Sequence, residues 1–183
     1  AARDGLVVGE GAGAVVLERW EHAVARGADI LGEVIGFGLC CDGTHVTAPS
    51  AVGMASAMRL ALESASLPAS AVEYVNAHAT ATEVGDIVES QATFAVLGGD
   101  VPVSSTKGHT GHTLGACGAI ELAFCVGAMR EGFLPATRNL DNVDPACAPL
   151  DYVQTTRAAR PRVVMTNNFA FGGINTSLLL QAP

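Results

Sequence analysis

The stretch VEYVNAHATATEVGDIVESQATFAVLGGDVPVSS, residues 72–105, decides the fold class. It begins with a β-branched and aromatic run at residues 72–77 that is typical of a buried strand. A helix-forming run follows at about residues 86–97, and a second apolar run at residues 101–105 predicts another strand. A strand, a helix and a strand in this order are typical of a crossover onto a parallel sheet, so we predict an α/β protein.

The same alternation extends in both directions from this stretch. Further strands are predicted at residues 30–41, 163–166 and 176–180, and further helices at residues 18–26, 51–65 and 113–130. Residues 6–17 place two β-branched runs around a glycine-rich centre and predict a β-hairpin. Residues 135–162 carry four prolines and little periodicity, so we expect a surface connection there and no domain boundary. The sheet is expected to have helices on both faces, with antiparallel pairing open at the last two strands.

The composition excludes several classes of protein. The 183 residues are 49% hydrophobic and 15% charged, which is too apolar for a disordered chain and enough for one buried core. Ten basic against 18 acidic residues give a net charge of −8, so non-specific binding to nucleic acid is not expected.

The cysteines and the N-terminus indicate the setting. Five cysteines without a CxxC spacing, two of them adjacent, do not form a disulfide framework and favour a reducing cytoplasm. No apolar run approaches the ~20 residues that span a bilayer. The first five residues lack the pattern of a signal peptide and an initiator methionine, so the chain is expected to be a fragment or a processed product.

Three polar segments follow predicted strands, where open α/β sheets bind ligands. They are residues 76–82, 104–112 and 167–173. If the three strands are parallel neighbours, His78, Lys107 and His112 lie at one edge of the sheet. Two imidazoles that donate N–H groups beside an ammonium suit the stabilisation of an oxyanion such as an enolate.

Five motifs in this chain resemble the β-ketoacyl-[acyl carrier protein] synthases, in family order and with family-like spacing. They are Asp4-Gly5 with Gly9-Glu10-Gly11-Ala12-Gly13, residues 74–80 (YVNAHAT), residues 103–107 (VSSTK) with 110–112 (TGH) and 114–116 (LGA), Asn139-Leu140-Asp141, and residues 168–175 (NFAFGGIN). The resemblance covers the whole chain, but only the C-terminal part of a family member.

The resemblance implies a thiolase-like fold of two related α/β halves. Residues 1–27 would end the first half with its last β-hairpin and a short helix, and residues 28–183 would form the second half around a mixed five-stranded sheet. It also implies a decarboxylating Claisen condensation of fatty acid biosynthesis, between an acyl thioester and a malonyl-acyl carrier protein, without a cofactor and in a cytoplasmic homodimer. The partners would be the acyl carrier protein and the missing N-terminal half.

By the same resemblance, individual residues acquire roles. His78 and His112 correspond to the two catalytic histidines and Lys107 to the catalytic lysine. Substrate-binding and gating roles fall to Phe169, Phe171, Gly172, Thr80, Thr82 and Thr110. Asn76 and Glu121 resemble residues that hold a structural monovalent cation in some members.

The chain also departs from the family pattern. No cysteine stands in the context of the nucleophile, which belongs to the missing half, so the chain alone is expected to be inactive. Cys117 occupies a position where the family has a small residue and is interpreted as a buried hydrophobe. Ala79 and Ala170 replace glycines and add methyl groups near the site, and His109 has no assigned role.

Other interpretations are weaker or stay open. Residues 9–14 resemble a dinucleotide fingerprint, but a strand follows where a helix is required. His109 and His112 lack a third metal ligand, and Lys107 would repel a cation. A polyketide ketosynthase shares the same histidines, and a chain-length-factor-like partner needs none of them. A lone half is expected to expose a large apolar patch, with association or poor solubility as the consequence.

Overall fold

The chain folds around a central sheet that separates two hydrophobic clusters. The computed structural model describes residues 1–44 and 48–183. The helices are α1 (Trp20–Ala25), α2 (Ala51–Ser64), α3 (Glu83–Leu97), α4 (Lys107–Thr110) and α5 (Cys117–Glu131). The strands are β1 (Glu33–Cys41), β2 (Tyr74–Asn76), β3 (Pro102–Ser104), β4 (Phe133–Leu134), β5 (Asp151–Tyr152), β6 (Arg157–Ala158), β7 (Val163–Ala170) and β8 (Ile174–Gln181).

Side chains that alternate along the strands fill the two clusters, because successive residues of a strand point to opposite faces. Met165 of β7 and Leu179 of β8 pack with Met58 of α2 on one face. Their neighbours in sequence, Val164 and Leu180, pack with α5 on the other. The α/β class and the helices on both faces are therefore confirmed.

The main sheet has six strands in the order β1-β8-β7-β2-β3-β5. The β7-β2, β2-β3 and β3-β5 pairs are parallel, whereas β8 pairs antiparallel with β1 and β7. The mixed pairing is as expected, but the sheet has one strand more than the predicted five. The sixth is β5, which lies in the segment expected to be a surface connection. It pairs with the open edge of β3, and two residues are too few to leave a periodic pattern in the sequence.

The predicted hairpin at residues 6–17 does not form within the described part of the chain. Val8 makes an isolated parallel bridge to His112, and residues 9–17 lie outside any strand. The alternating glycines serve close packing rather than a turn: a Cβ on Gly9 would lie 2.1 Å from the carbonyl oxygen of Thr110, and one on Gly13 would lie 2.8 Å from Cβ of Ala119. Residues 7–13 are called the N-terminal strap below. The division of the chain at residue 27 stays a prediction.

Two further boundaries differ from those predicted. The helix predicted from residue 113 begins with a 3-10 turn, Leu114–Ala116, and α5 follows it. The turn includes Leu114 at a φ of 54°, which an α-helix does not accept. Strand β7 continues to Ala170, four residues beyond the predicted end, because it pairs along its full length with β8.

Candidate active site

The parallel strands β7, β2 and β3 are neighbours, with β2 in the middle. His78 follows the end of β2 by two residues, and Lys107 follows the end of β3 by three. The carboxyl ends of parallel strands meet at one edge of a sheet, so the topology brings these groups together. The sequence predicts this convergence on the condition that the three strands are parallel neighbours, and they are.

The two imidazole rings lie edge to face. The ring centres of His78 and His112 are 5.3 Å apart and their planes are inclined by 86°. The ring of Phe169 lies 6.2 Å from that of His78. All three line a cavity of about 770 Å³, called the histidine cavity below. Thr80, Thr82 and Phe171 line it too, so six of the predicted site residues share one cavity.

The electrostatic environment keeps both histidines neutral. Burial, with the nearby Lys107 and His112, lowers the pKa of His78 to about 2. Burial and Lys107 also lower the pKa of His112 below its ordinary value. Nδ1 of His78 is buried and has no hydrogen-bond partner among the described residues. A neutral imidazole can donate its one N–H group in a hydrogen bond to a ligand oxygen, but it does not transfer that proton at neutral pH.

The N-terminal strap fixes the backbone of His112. The amide of His112 donates to the carbonyl oxygen of Val7 at 2.7 Å, and the amide of Gly9 donates to the carbonyl oxygen of His112 at 3.0 Å. These two bonds hold the histidine on both sides. The glycine-rich sequence was interpreted as a turn, and its contact with the His112 loop was missed.

Lys107 belongs to a buried polar network that is centred on Glu121. Its Nζ donates to Oε1 of Glu121 at 2.5 Å, and both side chains are almost wholly buried. The amide of Asn168 donates to Oε2 of the same carboxylate at 2.7 Å. The network therefore joins α4, α5 and β7 beside the histidines.

Glu89 is a site residue that the sequence analysis missed. Its two carboxylate oxygens accept hydrogen bonds from the amides of His78 at 2.8 Å and Ala79 at 2.6 Å. Burial raises the pKa of Glu89 to about 7, against the opposite effect of those two bonds. A signal for it existed, because an acidic residue lies beside Ala92 and Thr93 on the buried face of α3.

The backbone after His78 is strained and held in place. Ala79 and Ala81 have φ values of 22° and 62°, which residues with a Cβ rarely adopt. The carbonyl oxygen of Ala79 accepts a hydrogen bond from Ser105, and the amide of Ala81 donates to Asp86. This loop presents Thr80, whose hydroxyl lies 3.1 Å from that of Thr82.

The turn between β7 and β8 carries the second phenylalanine. Phe171 is 69% exposed, and Gly172 and Gly173 follow it with φ values of 82° and 76°. Asp42 holds the base of this turn: its amide donates to the carbonyl oxygen of Gly173, and its carboxylate accepts from Asn175 at 2.9 Å. Glycine is needed at Gly173, where a Cβ would lie 2.0 Å from Oδ1 of Asp42.

The remaining predicted residues lie elsewhere. Thr110 donates to the carbonyl oxygen of Gly111 and does not line the histidine cavity. Asn76 is fully buried and its Oδ1 has no partner in the described structure. Glu121 is a poor ligand for a further cation, because Lys107 and Asn168 already occupy its two oxygens. Asn76 and Glu121 therefore do not fit a shared cation site as they stand.

Residues 1–44 and 48–183 contain no group of three or more His, Cys, Asp or Glu side chains arranged to hold a metal ion. They also contain no helix that is long and apolar enough to cross a membrane.

Residues 31–141 match the family described as beta-ketoacyl synthase, C-terminal domain. The chain belongs to the β-ketoacyl synthase family. It is 46% identical over 192 residues to the putative mitochondrial 3-oxoacyl-[acyl-carrier-protein] synthase of Schizosaccharomyces pombe, an alignment that covers 99% of this chain and 45% of that protein. Because this relative is mitochondrial by name, a cytoplasmic location for the synthase chain stays a prediction.

Two solved structures show the same fold. A β-ketoacyl synthase from Burkholderia phymatum STM815 superposes with a TM-score of 0.89 at 54% identity, over 91% of this chain and 41% of that one. AntDE:AntF, a type II PKS acyl-carrier protein in complex with its ketosynthase bound to the hexaketide, superposes with a TM-score of 0.94 at 34% identity, over 100% of this chain and 46% of that one. The chain thus spans about half the length of the relatives it matches, and the thiolase-like class is confirmed.

Proposed function

We propose that this chain is the C-terminal part of a 3-oxoacyl-[acyl carrier protein] synthase, in which His78 and His112 stabilise an enolate. The observation that carries the proposal is the pair of neutral imidazoles, with ring centres 5.3 Å apart, that line one cavity of about 770 Å³. Two N–H donors fixed by the fold before substrate binds can stabilise a charge that develops only in the transition state.

The reaction would begin with a malonyl thioester in the histidine cavity. The bond between its carboxylate carbon and Cα breaks, carbon dioxide leaves, and the electron pair moves onto the thioester oxygen as an enolate. His78 and His112 each donate an N–H group to that oxygen. Cα then attacks the carbonyl carbon of an acyl thioester, a carbon–carbon bond forms, and the cysteine that carried the acyl group leaves as a thiolate.

Lys107 would act on the histidines rather than on the substrate. Burial lowers the pKa of both imidazoles, and the ammonium of Lys107 lowers it further, so the lysine would help to keep them neutral donors. Glu121 and Asn168 hold the lysine in place. Glu89 would fix the loop that carries His78 through its two backbone amides.

The carrier arm would enter beside the threonines. Thr80 and Thr82 line the histidine cavity and offer hydroxyl groups to the amides of a phosphopantetheine arm. Phe169 and the exposed Phe171 would gate the cavity, with Gly172 as the flexible point of the turn. The AntDE:AntF structure supports an acyl carrier protein as partner, since that ketosynthase is bound to one.

The nucleophilic cysteine would come from the half of the protein that precedes this chain in its relatives. The chain covers only 45% of the S. pombe relative, which leaves room for such a half. A homodimer of the complete protein and a cytoplasmic location are further parts of the proposal.

A polyketide ketosynthase is the second candidate, and the similarity to AntDE:AntF favours it. Fatty acid and polyketide synthases share the decarboxylation and differ in the acyl chain that they extend. A chain-length-factor-like partner is less well supported, because it has no need of two histidines that line one cavity with a buried lysine near them.

The test is the release of carbon dioxide from malonyl-acyl carrier protein by the full natural polypeptide. His78→Ala and His112→Ala should each lower the rate roughly 10²- to 10³-fold, as loss of one oxyanion donor does in other enzymes. His109→Gln is the matched control: the ring of this histidine bonds the carbonyl oxygen of Ala136 and does not line the histidine cavity, so it should be dispensable. Equal rates in the control and both alanine variants would refute the proposal.

A further inference from the structure

Cys117 lies against the ring of His112. Its Sγ is 3.1 Å from Nδ1 of that ring, and the cysteine is buried at the first residue of α5. From the sequence, Cys117 is predicted to be a buried hydrophobic residue. The contact instead joins a thiol to one of the two histidines of the cavity.

A backbone amide decides which atom of the contact is the donor. The amide of Leu114 donates to the same Nδ1 at 3.2 Å. The position of an amide hydrogen is fixed, so Nδ1 must present its lone pair in the neutral ring. Nδ1 therefore carries no proton and can only accept, so a hydrogen bond in this contact runs from the Cys117 thiol to Nδ1, which shares its one lone pair between the thiol and the amide of Leu114.

A third group orients the thiol. The hydroxyl of Thr113 donates to Sγ of Cys117 at 3.7 Å, within the range of a hydrogen bond to sulfur. The sulfur thus accepts one bond and keeps its own hydrogen for Nδ1. The order of donation is Thr113 to Cys117 to His112.

We propose that Cys117 is a positioning residue for His112, whose thiol donates to Nδ1 and, together with the amide of Leu114, keeps the ring proton on Nε2. Nε2 is the nitrogen left for a ligand in the histidine cavity, and a protonated Nε2 is what the enolate oxygen requires. The inference rests on the proposed function for the role of that donor, but the contact itself does not.

Other ionisable groups also face His112 and must be held constant in a test. His78 approaches from the loop after β2 and Lys107 from α4, where Glu121 pairs with the lysine. Val7 and Gly9 of the N-terminal strap contact the backbone of His112. Substitutions at Cys117 leave all of these groups unchanged.

The experiment follows the ¹⁵N resonances of His112 during a pH titration of the full polypeptide. Wild type should show Nε2–H and an unprotonated Nδ1. Cys117→Ala should raise the titration midpoint of His112 by roughly half a pH unit, because an acceptor that loses a donor protonates more readily. Cys117→Ser, whose hydroxyl also donates, should restore the midpoint. Cys125→Ala, a buried cysteine of the same helix, should leave it unchanged.

Activity supplies a second readout. Cys117→Ala should lower kcat for carbon dioxide release roughly 3- to 10-fold, the effect of one neutral hydrogen bond, without changing KM, and Cys117→Ser should recover it. A proton on Nδ1 in wild type, or an unchanged midpoint in Cys117→Ala, would overturn the proposal. Rapid alkylation of Cys117 by iodoacetamide below pH 7 would also overturn it, because it would reveal a thiolate. If the midpoint moves but no variant releases carbon dioxide, the proposed function fails and the donor assignment stands.

Discussion

At the scale of single residues, His78 shows how burial selects a protonation state. The ring is held against Phe169 and His112, and the nearby ammonium of Lys107 opposes a second positive charge. A histidine that stays neutral in the folded protein but charges in the unfolded chain makes stability depend on pH. The direction of this pH dependence follows from how many protons the folded and the unfolded states bind.

Between about pH 2 and 6.5 the unfolded chain binds a proton at His78 that the folded protein does not, so this residue makes stability rise with pH over that interval. His78→Gln should reduce the slope of the unfolding free energy against pH by up to about 1.4 kcal/mol per pH unit. Chemical denaturation of the full polypeptide at pH 4 to 7 measures it, with His109→Gln as the control. The same slope in His78→Gln and wild type would contradict the assignment.

The buried ion pair of Lys107 and Glu121 is a second case in which burial affects the free energy of unfolding. Glu121→Gln leaves the ammonium buried without a counter-charge and should destabilise the protein by about 3–5 kcal/mol. The double variant Lys107→Met with Glu121→Gln removes both charges and should be more stable than the single variant. A double-mutant cycle by urea denaturation checks this, and additive effects would show that the two charges do not interact.

The sequence predicts the position of a site residue only where that residue closely follows a strand with a clear apolar pattern. His78 and Lys107 follow strands that the apolar pattern reveals, so their convergence was predictable. Glu89 depends on which face of α3 meets the loop after β2, and Cys117 depends on the 3-10 turn that precedes α5. The sequence marks Glu89 only as an acidic residue on the buried face of α3, without its partner, and it gives no sign of the contact of Cys117.

At the scale of elements, two glycines of the N-terminal strap pack against neighbours that differ in how easily they can move. A Cβ on Gly9 would meet a backbone carbonyl oxygen in the His112 loop, which cannot yield without moving the histidine. A Cβ on Gly11 would lie 3.0 Å from the terminal methyl of Ile120, which can rotate away. The same substitution should therefore have different consequences two residues apart.

Gly9→Ala should lower the rate of carbon dioxide release at least about tenfold, because a displaced N–H donor loses most of its value to the transition state. Gly11→Ala should remain within about twofold of wild type. Steady-state assays with malonyl-acyl carrier protein measure both, and circular dichroism checks that both variants fold. Equal losses would show that the strap does not position His112.

The element order could be read from the sequence, and the exceptions have physical causes. Helices α2 and α3 and strands β1 and β8 leave long periodic patterns and lie close to their predicted bounds. Strands β5 and β6 have two residues each and depend on partners distant in sequence. The N-terminal glycines permit either a turn or a close packing, and the positions of the His112 loop and of α5 decide between them.

At the scale of the whole molecule, several large apolar side chains are exposed in this chain. Val16 of the N-terminal region is 87% exposed, and Phe37 and Leu39 of β1 are more than 60% exposed. On β1 these side chains alternate with Gly36 and Gly38, which contact α2, so they project from the opposite face of the sheet. Soluble monomers rarely leave such surfaces uncovered.

We expect the chain produced alone to self-associate, because burial of this surface is favourable at about 25 cal/mol per Å². Sedimentation velocity should show oligomers that bind a hydrophobic dye, whereas the full polypeptide should bind little dye. Phe37→Ser with Leu39→Ser should reduce both signals in the isolated chain. A monodisperse wild-type monomer without dye binding would show that the surface needs no cover.

The central claim is that two neutral imidazoles converge on one oxygen atom. The most direct test is a crystal structure of the full polypeptide with a malonyl thioester analogue that cannot lose carbon dioxide. We predict that the thioester oxygen lies roughly 2.7–3.1 Å from Nε2 of both His78 and His112. An oxygen that contacts neither ring, with the carboxylate bound between them instead, would contradict the account.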